Sequence, residues 1–183
     1  MTGIVLRTDR LELRPSEPAF FDEFWASTER SLEELAPWMP WALTRDPNAT
    51  RAFLARARDS WRAGTDRAFT VFIDGEACGH CALDHFDPLV RSCEIGYWLR
   101  SDLCGRGLMT EAAGAVVDYG FDELGVHRIE LHAGIGNHAS NRIAAKLGFR
   151  YEGVLREAGF GADGHFDMNV YGLLATDPRS ATG

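Results

Sequence analysis

The sequence is short of positive charge and of long apolar runs. Its 183 residues carry 19 Lys and Arg against 27 Asp and Glu, a formal net charge of −8. Proteins that bind nucleic-acid backbones need basic patches that displace counterions, so this balance argues against a nucleic-acid partner and suits a cationic acceptor. No segment approaches the roughly 20 apolar residues that cross a bilayer, and residues 1–15 hold no signal-peptide core. We therefore expect a cytoplasmic protein with no membrane partner.

Cysteine is also scarce, and the four present are Cys78, Cys81, Cys93 and Cys104. Cys78 and Cys81 form a CxxC within a strand-like segment, whereas redox CxxC motifs open helices, where the thiol pKa is lowered. Residues three apart on a strand face opposite ways, about 10 Å apart, beyond the ~7 Å that a disulfide spans. A structural zinc site needs a second close ligand pair, which is missing. We interpret the two as small strand residues, with a redox or zinc site as the alternative, and expect no metal.

The hydrophobic pattern predicts one mixed α/β domain over residues 1–175 and a flexible tail over 176–183. Alternating apolar residues indicate strands, and apolar residues on helical spacing indicate helices. In chain order we expect a strand ending at Pro15, helices over 19–29 and 48–64, a hairpin turning at Asp74–Gly75, a strand over 91–100, a helix ending at Gly125, a strand over 127–131, a helix from Asn137 to Gly148, and strands over 149–157 and 165–174.

Two glycines, Gly105 and Gly107, lie at the start of the predicted helix that follows the strand over 91–100. Glycine inside a helix costs roughly 1 kcal/mol relative to alanine, so the position needs a bare backbone. A glycine-rich turn before a helix leaves N–H groups free to bind an anion. A P-loop pattern is absent, and a dinucleotide fingerprint fails because Thr110 replaces its third glycine. The alternatives left are a pyrophosphate bound by the amides of residues 104–109 and a packing constraint alone.

Several segments, in order, resemble one known family. "DRLELRP", "SLEELAPWMPW", "EIGYWLRSDLCGRGLMTEA" and "NHASNRIAAKLGFRYEGVLREAGFGADGHFDMNVYGLL" are similar to the GNAT superfamily of acyl-CoA N-acyltransferases, and within it to the RimJ/RimL-like N-terminal acetyltransferases. The resemblance implies a mostly antiparallel sheet, splayed at the acyl-CoA site and flanked by about four helices. It also implies acetyl-CoA as cosubstrate and a primary amine as acceptor, first of all the N-terminal α-amine of a peptide or ribosomal protein. The chain would be a monomer or a homodimer.

The resemblance also assigns the cofactor site. The family's phosphate loop, [RQ]xxGx[GA], falls on residues 104–109, where Cys104 and Met109 depart from the pattern and Gly107 fits it. The strand at Tyr97–Leu99 would splay from its neighbour and pair with pantetheine. The implied cofactor-binding residues are Trp98, Leu99, Cys104, Gly105, Arg106, Gly107, Leu108, Met109, Thr110, Asn137 and Asn141.

Catalytic roles follow by the same resemblance. Ser140 would protonate the leaving sulfur, whereas the carboxylate proposed as base in RimL-like enzymes falls on Gly159, so His132 or Glu94 would act instead. An α-amine with a pKa of about 7.7–8.0 is over a tenth neutral at pH 7, but a lysine near 10.4 is neutral about once in 2,500, which favours an α-amine acceptor. Trp38, Trp41 and Tyr97 are the candidate acceptor-binding residues, although the two tryptophans also suit a turn packed on the core. Other possible functions are acetylation of a small amine or antibiotic, and a degenerate member without turnover.

Overall fold

One open, eight-stranded sheet forms the centre of the protein in a computed structural model that describes residues 4–179. Its strands are β1 (Leu6–Arg7), β2 (Glu12–Pro15), β3 (Arg67–Ile73), β4 (Glu76–Asp87), β5 (Ser92–Leu99), β6 (Arg128–Gly134), β7 (Arg150–Gly161) and β8 (Gly164–Leu174). Its α-helices are α1 (Phe21–Glu29), α2 (Leu32–Leu35), α3 (Pro47–Ala63), α4 (Leu108–Asp122) and α5 (His138–Lys146). The predicted mixed α/β fold is confirmed, with the single-turn α2 as an addition.

The strands lie in the order β1-β2-β3-β4-β5-β6-β8-β7, and every neighbouring pair is antiparallel except β5 and β6. The hairpin between β3 and β4 turns at Asp74 and Gly75, whose φ angles are 51° and 84°. Positive φ at both central residues fits the twist of the flanking strands, which is why an Asp-Gly pair predicts this turn.

Helices cover both faces of the sheet. On one face, α4 packs on β4 and β5, and its buried residues share one cluster with Ile129 and Leu131 of β6 and Ala144 of α5. On the other face, Phe24 of α1 and Leu54 of α3 pack on Trp98 of β5. Because strand side chains alternate, β5 and β6 present different residues to these two layers.

The two parallel strands at the centre of the sheet separate. β5 pairs with β6 only from Ser92 to Glu94, opposite Arg128 to Glu130. Beyond that point Tyr97–Leu99 pair with β4 alone, while β6 continues beside β8 as far as Gly134. The predicted splay is therefore present, and it leaves a slot between the free edges of two strands.

Cys78 and Cys81 lie on β4 with buried, unbonded thiols, as small strand residues. Burial raises the pKa of Cys78 to about 11 and that of Cys81 still further, so both remain thiols near neutral pH. Within residues 4–179, no group of three or more His, Cys, Asp or Glu side chains is placed to hold a metal ion. In the same range, no helix is long and apolar enough to span a membrane.

The segment after β8 returns to the body of the domain. Asp177 forms an ion pair with Arg150 at 2.7 Å, and Arg179 pairs with Asp118 and Asp122 of α4 at 2.9 and 2.8 Å. Residues 180–183 of the predicted tail lie outside the described residues. The tail and the domain boundary at residue 175 stay predictions.

Candidate active site

A glycine-marked loop joins β5 to α4. Gly105 and Gly107 have φ angles of +80° and +79°, in the left-handed region that glycine enters without steric cost. Gly107 is the N-cap of α4 and offers no side-chain hydrogen bond to the first helical turn. The backbone N–H groups of that turn are therefore not capped by a side chain. Together with the helix dipole, they suit a diphosphate at the mouth of the slot.

The departures from the family pattern leave the backbone of this loop accessible. Leu108 and Met109 are 2% and 6% exposed, and both side chains belong to the main core. The bulk of Met109 therefore points into the protein rather than across the loop. Cys104 is exposed, and its Sγ lies 3.8 Å from the carbonyl oxygen of Arg100.

The start of α5 borders the other side of the slot. Asn137 caps this helix, its Oδ1 accepting a hydrogen bond from Ser140 N at 3.1 Å, as the sequence predicts. The Ser140 hydroxyl lies 2.9 Å from the Tyr97 hydroxyl of β5. Burial raises the pKa of Tyr97 well above its ordinary value, so Tyr97 is a neutral phenol that can donate. The structure thus places Tyr97, predicted to bind the amine substrate, within hydrogen-bond distance of Ser140, predicted to be the general acid.

Asn141 holds α5 in place. Its Nδ2 donates to the carbonyl oxygens of Gly134 and Asn137 at 2.9 and 2.7 Å. Its Oδ1 accepts from Asn169 Nδ2 at 2.7 Å and from the Tyr171 hydroxyl at 2.6 Å. Two donors and two lone pairs complete the capacity of a side-chain amide. A direct contact between Asn141 and the cofactor stays a prediction. The structure shows that the Asn141 side chain links α5 to the sheet through these hydrogen bonds.

The two candidate bases lie together on the opposite face of the sheet from Tyr97. His132 Nδ1 is 3.5 Å from Glu94 Oε1, and its Nε2 is 3.3 Å from Glu130 Oε2. Asp84 stands directly opposite Glu94 in the register of β4 and β5. Burial raises the pKa of Asp84 to about 6. This face therefore collects carboxylates around one imidazole, an environment that attracts a cationic amine.

The two tryptophans occupy different positions. The Trp38 ring lies over Gly134 and Gly136, where an added Cβ would stand 3.1 and 3.3 Å from it, and it packs edge-on against Phe166. It therefore sits where β6 leads into α5, at the end of the slot. The Trp41 side chain is 42% exposed, with its ring 6.0 Å from that of Trp98. Neither tryptophan lies wholly in the core.

The neighbouring ring of Phe166 explains why a glycine stands at position 159. A Cβ built at this position would lie 2.0 Å from Cε2 of Phe166, so the ring fills the space that a carboxylate side chain would need. His132 or Glu94 as the base stays a prediction. Phe166 itself is not predicted, because its contact with Gly159 depends on irregular pairing between β7 and β8.

Comparison with known proteins agrees with this geometry. Residues 10–150 match the acetyltransferase (GNAT) domain model. The Bacillus subtilis (strain 168) protein named "Putative ribosomal N-acetyltransferase YdaF" is 26% identical over 91% of this chain and 92% of its own length. The Escherichia coli (strain K12) ribosomal-protein-serine acetyltransferase is 31% identical over 61% and 62%. The structure of Mycobacterium smegmatis RimJ in complex with CoA-disulfide superimposes with a TM-score of 0.86 at 26% identity, over 98% of this chain and 90% of that one. The match to the domain model spans most of the chain, which therefore belongs to the GNAT acetyltransferase family.

Proposed function

We propose that this enzyme acetylates the α-amine of a protein N-terminus, with a ribosomal protein as the acceptor in the cytoplasm. One observation carries the proposal: β5 and β6 separate, with the hydroxyl pair of Tyr97 and Ser140 on one face of the sheet and His132 beside Glu94 on the other. The names of the B. subtilis and E. coli relatives support a ribosomal acceptor.

The residues around the slot fit acetyl-CoA. The amides of residues 104–109 would hold the pyrophosphate at the start of α4, where Gly107 leaves them uncapped. The free edge of Tyr97–Leu99 offers backbone N–H and C=O groups to the amides of pantetheine. Asn137 lies across the slot from this edge, at the start of α5. In this arrangement binding depends mainly on backbone groups.

The bound cofactor supplies a thioester whose carbonyl carbon is open to attack by an amine, with the CoA thiolate as leaving group. Ser140 is the proposed acid on the side of the slot that α5 forms. With Tyr97 as the donor of the hydrogen bond between the two hydroxyls, Ser140 would keep its own proton free for the leaving sulfur. Tyr97 acts through Ser140 and is a positioning residue. Its own hydroxyl proton lies on the hydrogen bond to Ser140 and is not the one given to the sulfur.

His132 is the proposed base. It lies on the face of the sheet opposite Ser140, and the carboxylates of Glu94 and Glu130 flank its two ring nitrogens. They offset the positive charge that the ring gains when it takes a proton from the amine. An α-amine needs little help from a base, because over a tenth is already neutral near pH 7 for a pKa of about 7.7–8.0.

The acceptor test is release of CoA thiol from acetyl-CoA, followed with three sets of amines. The first is peptides with free N-termini, the second is the same peptides with blocked N-termini and one internal lysine, and the third is small polyamines and aminoglycosides. We expect turnover with the first set and none with the second. Turnover confined to the third set would refute the N-terminal acceptor. If acetyl-CoA binds but none of the three sets of amines gives thiol release, the result would favour a non-catalytic binding protein.

A further inference from the structure

Arg10, in the turn between β1 and β2, reaches the loop that starts α4. Its Nη1 donates to the carbonyl oxygen of Arg106 at 3.0 Å, and its Nε donates to Glu111 Oε2 at 2.7 Å. The backbone N–H of Arg10 also donates to Glu111 Oε1 at 3.0 Å, and Thr8 donates to the same oxygen. The N-terminal turn is thus tied to both the phosphate loop and the first turn of α4.

The bond to Arg106 controls the direction of a neighbouring N–H group. The carbonyl of Arg106 and the N–H of Gly107 belong to one planar, trans peptide unit, in which the two groups point in opposite directions. Since the carbonyl faces Arg10, the N–H of Gly107 faces the other side of the loop. Gly105 and Gly107 give this loop the most permissive backbone that a chain can have, so an external tether is needed to select one orientation.

The bond to Glu111 removes a second obstacle. A carboxylate in the first turn of α4 stands close to the proposed pyrophosphate site and would repel it. Arg10 Nη2 and Nε form a two-point ion pair with this carboxylate, whose side chain is 11% exposed. The pair neutralises the Glu111 carboxylate beside the loop, and the Arg10 guanidinium that does so is itself half exposed.

We propose that Arg10 is a positioning residue of the acyl-CoA site: it orients the Arg106–Gly107 peptide toward the pyrophosphate and neutralises Glu111. This function compensates for Cys104, which stands where the family pattern has Arg or Gln. The proposal rests on the proposed binding of the pyrophosphate by residues 104–109. It makes the N-terminal turn, far from the loop in sequence, a determinant of cofactor affinity.

Calorimetric titration with acetyl-CoA tests this role in four proteins: the wild type, Arg10→Gln, Arg10→Lys and the control Arg7→Gln. Arg7 is a neighbouring exposed arginine paired with Glu12 of the same hairpin. We expect Arg10→Gln to weaken binding about tenfold, the effect of losing one charge-assisted hydrogen bond. Arg10→Lys should also weaken binding, because one ammonium cannot bond the Arg106 carbonyl oxygen and Glu111 Oε2 as the three guanidinium nitrogens do. Arg7→Gln should bind as the wild type does.

Glu111→Gln separates positioning from direct contact by the sign of its effect. If Arg10 touched the phosphate simply as a cation, removal of the Glu111 charge would strengthen binding. Positioning predicts weaker binding, because the guanidinium loses its anchor and the Arg106–Gly107 peptide loses its fixed direction. Arg10 already neutralises Glu111 in the wild type, so Glu111→Gln has no repulsion left to relieve. Hydrogen exchange of the proteins without ligand gives an independent readout: residues 104–111 should exchange faster in Arg10→Gln, while α5 stays unchanged.

The outcomes are distinct. A wild type that does not bind acetyl-CoA would refute the proposed site as a whole. A wild type that binds, together with unaltered affinity in Arg10→Gln or Arg10→Lys, would refute the role of Arg10 alone. Equal weakening by Arg7→Gln, or tighter binding by Glu111→Gln, would show that only the net charge around the loop matters and would also overturn the inference.

Discussion

The hydrogen bond between Tyr97 and Ser140 makes a prediction that the single variants and the double variant test together. Tyr97→Phe keeps the ring and its packing and removes only the hydroxyl that lies 2.9 Å from Ser140 Oγ. Ser140→Ala removes the proposed acid itself. If Tyr97 acts by orienting Ser140, its hydroxyl has no function once Ser140 is alanine.

The expected decreases in turnover follow from these two roles, acid for Ser140 and positioning residue for Tyr97. Loss of a general acid lowers turnover by about 10² or more. Loss of one neutral hydrogen bond that orients the acid is worth about 1 kcal/mol, or roughly a fivefold decrease in kcat. The double variant should then turn over no more slowly than Ser140→Ala, with a coupling energy of about 1 kcal/mol rather than additive losses. The KM for acetyl-CoA should change little in all three.

The assay is the rate of thiol release at saturating acetyl-CoA and acceptor, with unfolding temperatures measured in parallel. Tyr151→Phe is the matched control, because Tyr151 is 59% exposed on β7 and its hydroxyl should not affect the rate. The reasoning is wrong if the losses of the two single variants add in the double variant, or if Tyr97→Phe has full activity. An equal decrease in Tyr151→Phe would point to a general effect of tyrosine substitution.

Three further predictions concern the loop, the acidic face and the β7 strand. Gly107→Val should weaken acetyl-CoA binding at least about tenfold, because φ is +79° at the proposed phosphate contact. The control Gly125→Ala, at φ +66° in open space, should change only stability. Equal losses of binding in the two variants, measured by calorimetry, would contradict the loop assignment. Asp84→Asn should raise stability near pH 8 and leave it nearly unchanged near pH 3. The folded pKa of about 6 lies above the ordinary value of 3.8, so the protonated carboxyl supports folding at low pH and this support is lost as pH rises from about 4 to above 6. Because the side chain is 39% exposed, we expect less than about 1 kcal/mol by chemical denaturation, and destabilisation at pH 8 would refute the sign. Gly159→Ala should destabilise by about 1–3 kcal/mol through overpacking, whereas Gly96→Ala, whose Cβ meets nothing within 4 Å, should cost less; the reverse order in urea titrations would argue against the close contact.

The sequence predicts most of the fold because the determinants of its elements are local. The period-2 and period-3.6 patterns identify the strands and long helices, and Asp74–Gly75 and Asn137 identify a turn and a cap through their own backbone chemistry. The short α2 is missed, since a single turn just before Pro37 carries no periodic signal. The full length of β7 is missed as well, because its residues are largely exposed and do not alternate cleanly.

The candidate site is predictable only in part. Ser140, His132 and Glu94 are identified one at a time, but no spacing indicates that Ser140 meets Tyr97 or that His132 lies between two carboxylates. Such contacts depend on how far β5 and β6 separate and where α5 packs. The sequence does not identify Arg10 as a site residue for the same reason. Its partner Glu111 lies 101 residues away, and an exposed arginine in a short turn belongs to no recognisable sequence motif.

The separation of β5 and β6 has a consequence for how the enzyme tolerates change. Two strand edges in the middle of a sheet would ordinarily be a hazard, since free N–H and C=O groups recruit other chains. Here they lie inside the domain, where the proposed pantetheine arm would complete the sheet as an inserted strand does. Recognition of this kind reads the backbone, which every residue shares, so side chains along the slot can drift in sequence while the geometry persists. Amide exchange at Tyr97–Leu99 should accordingly slow when acetyl-CoA binds, as it does when a strand gains its missing neighbour.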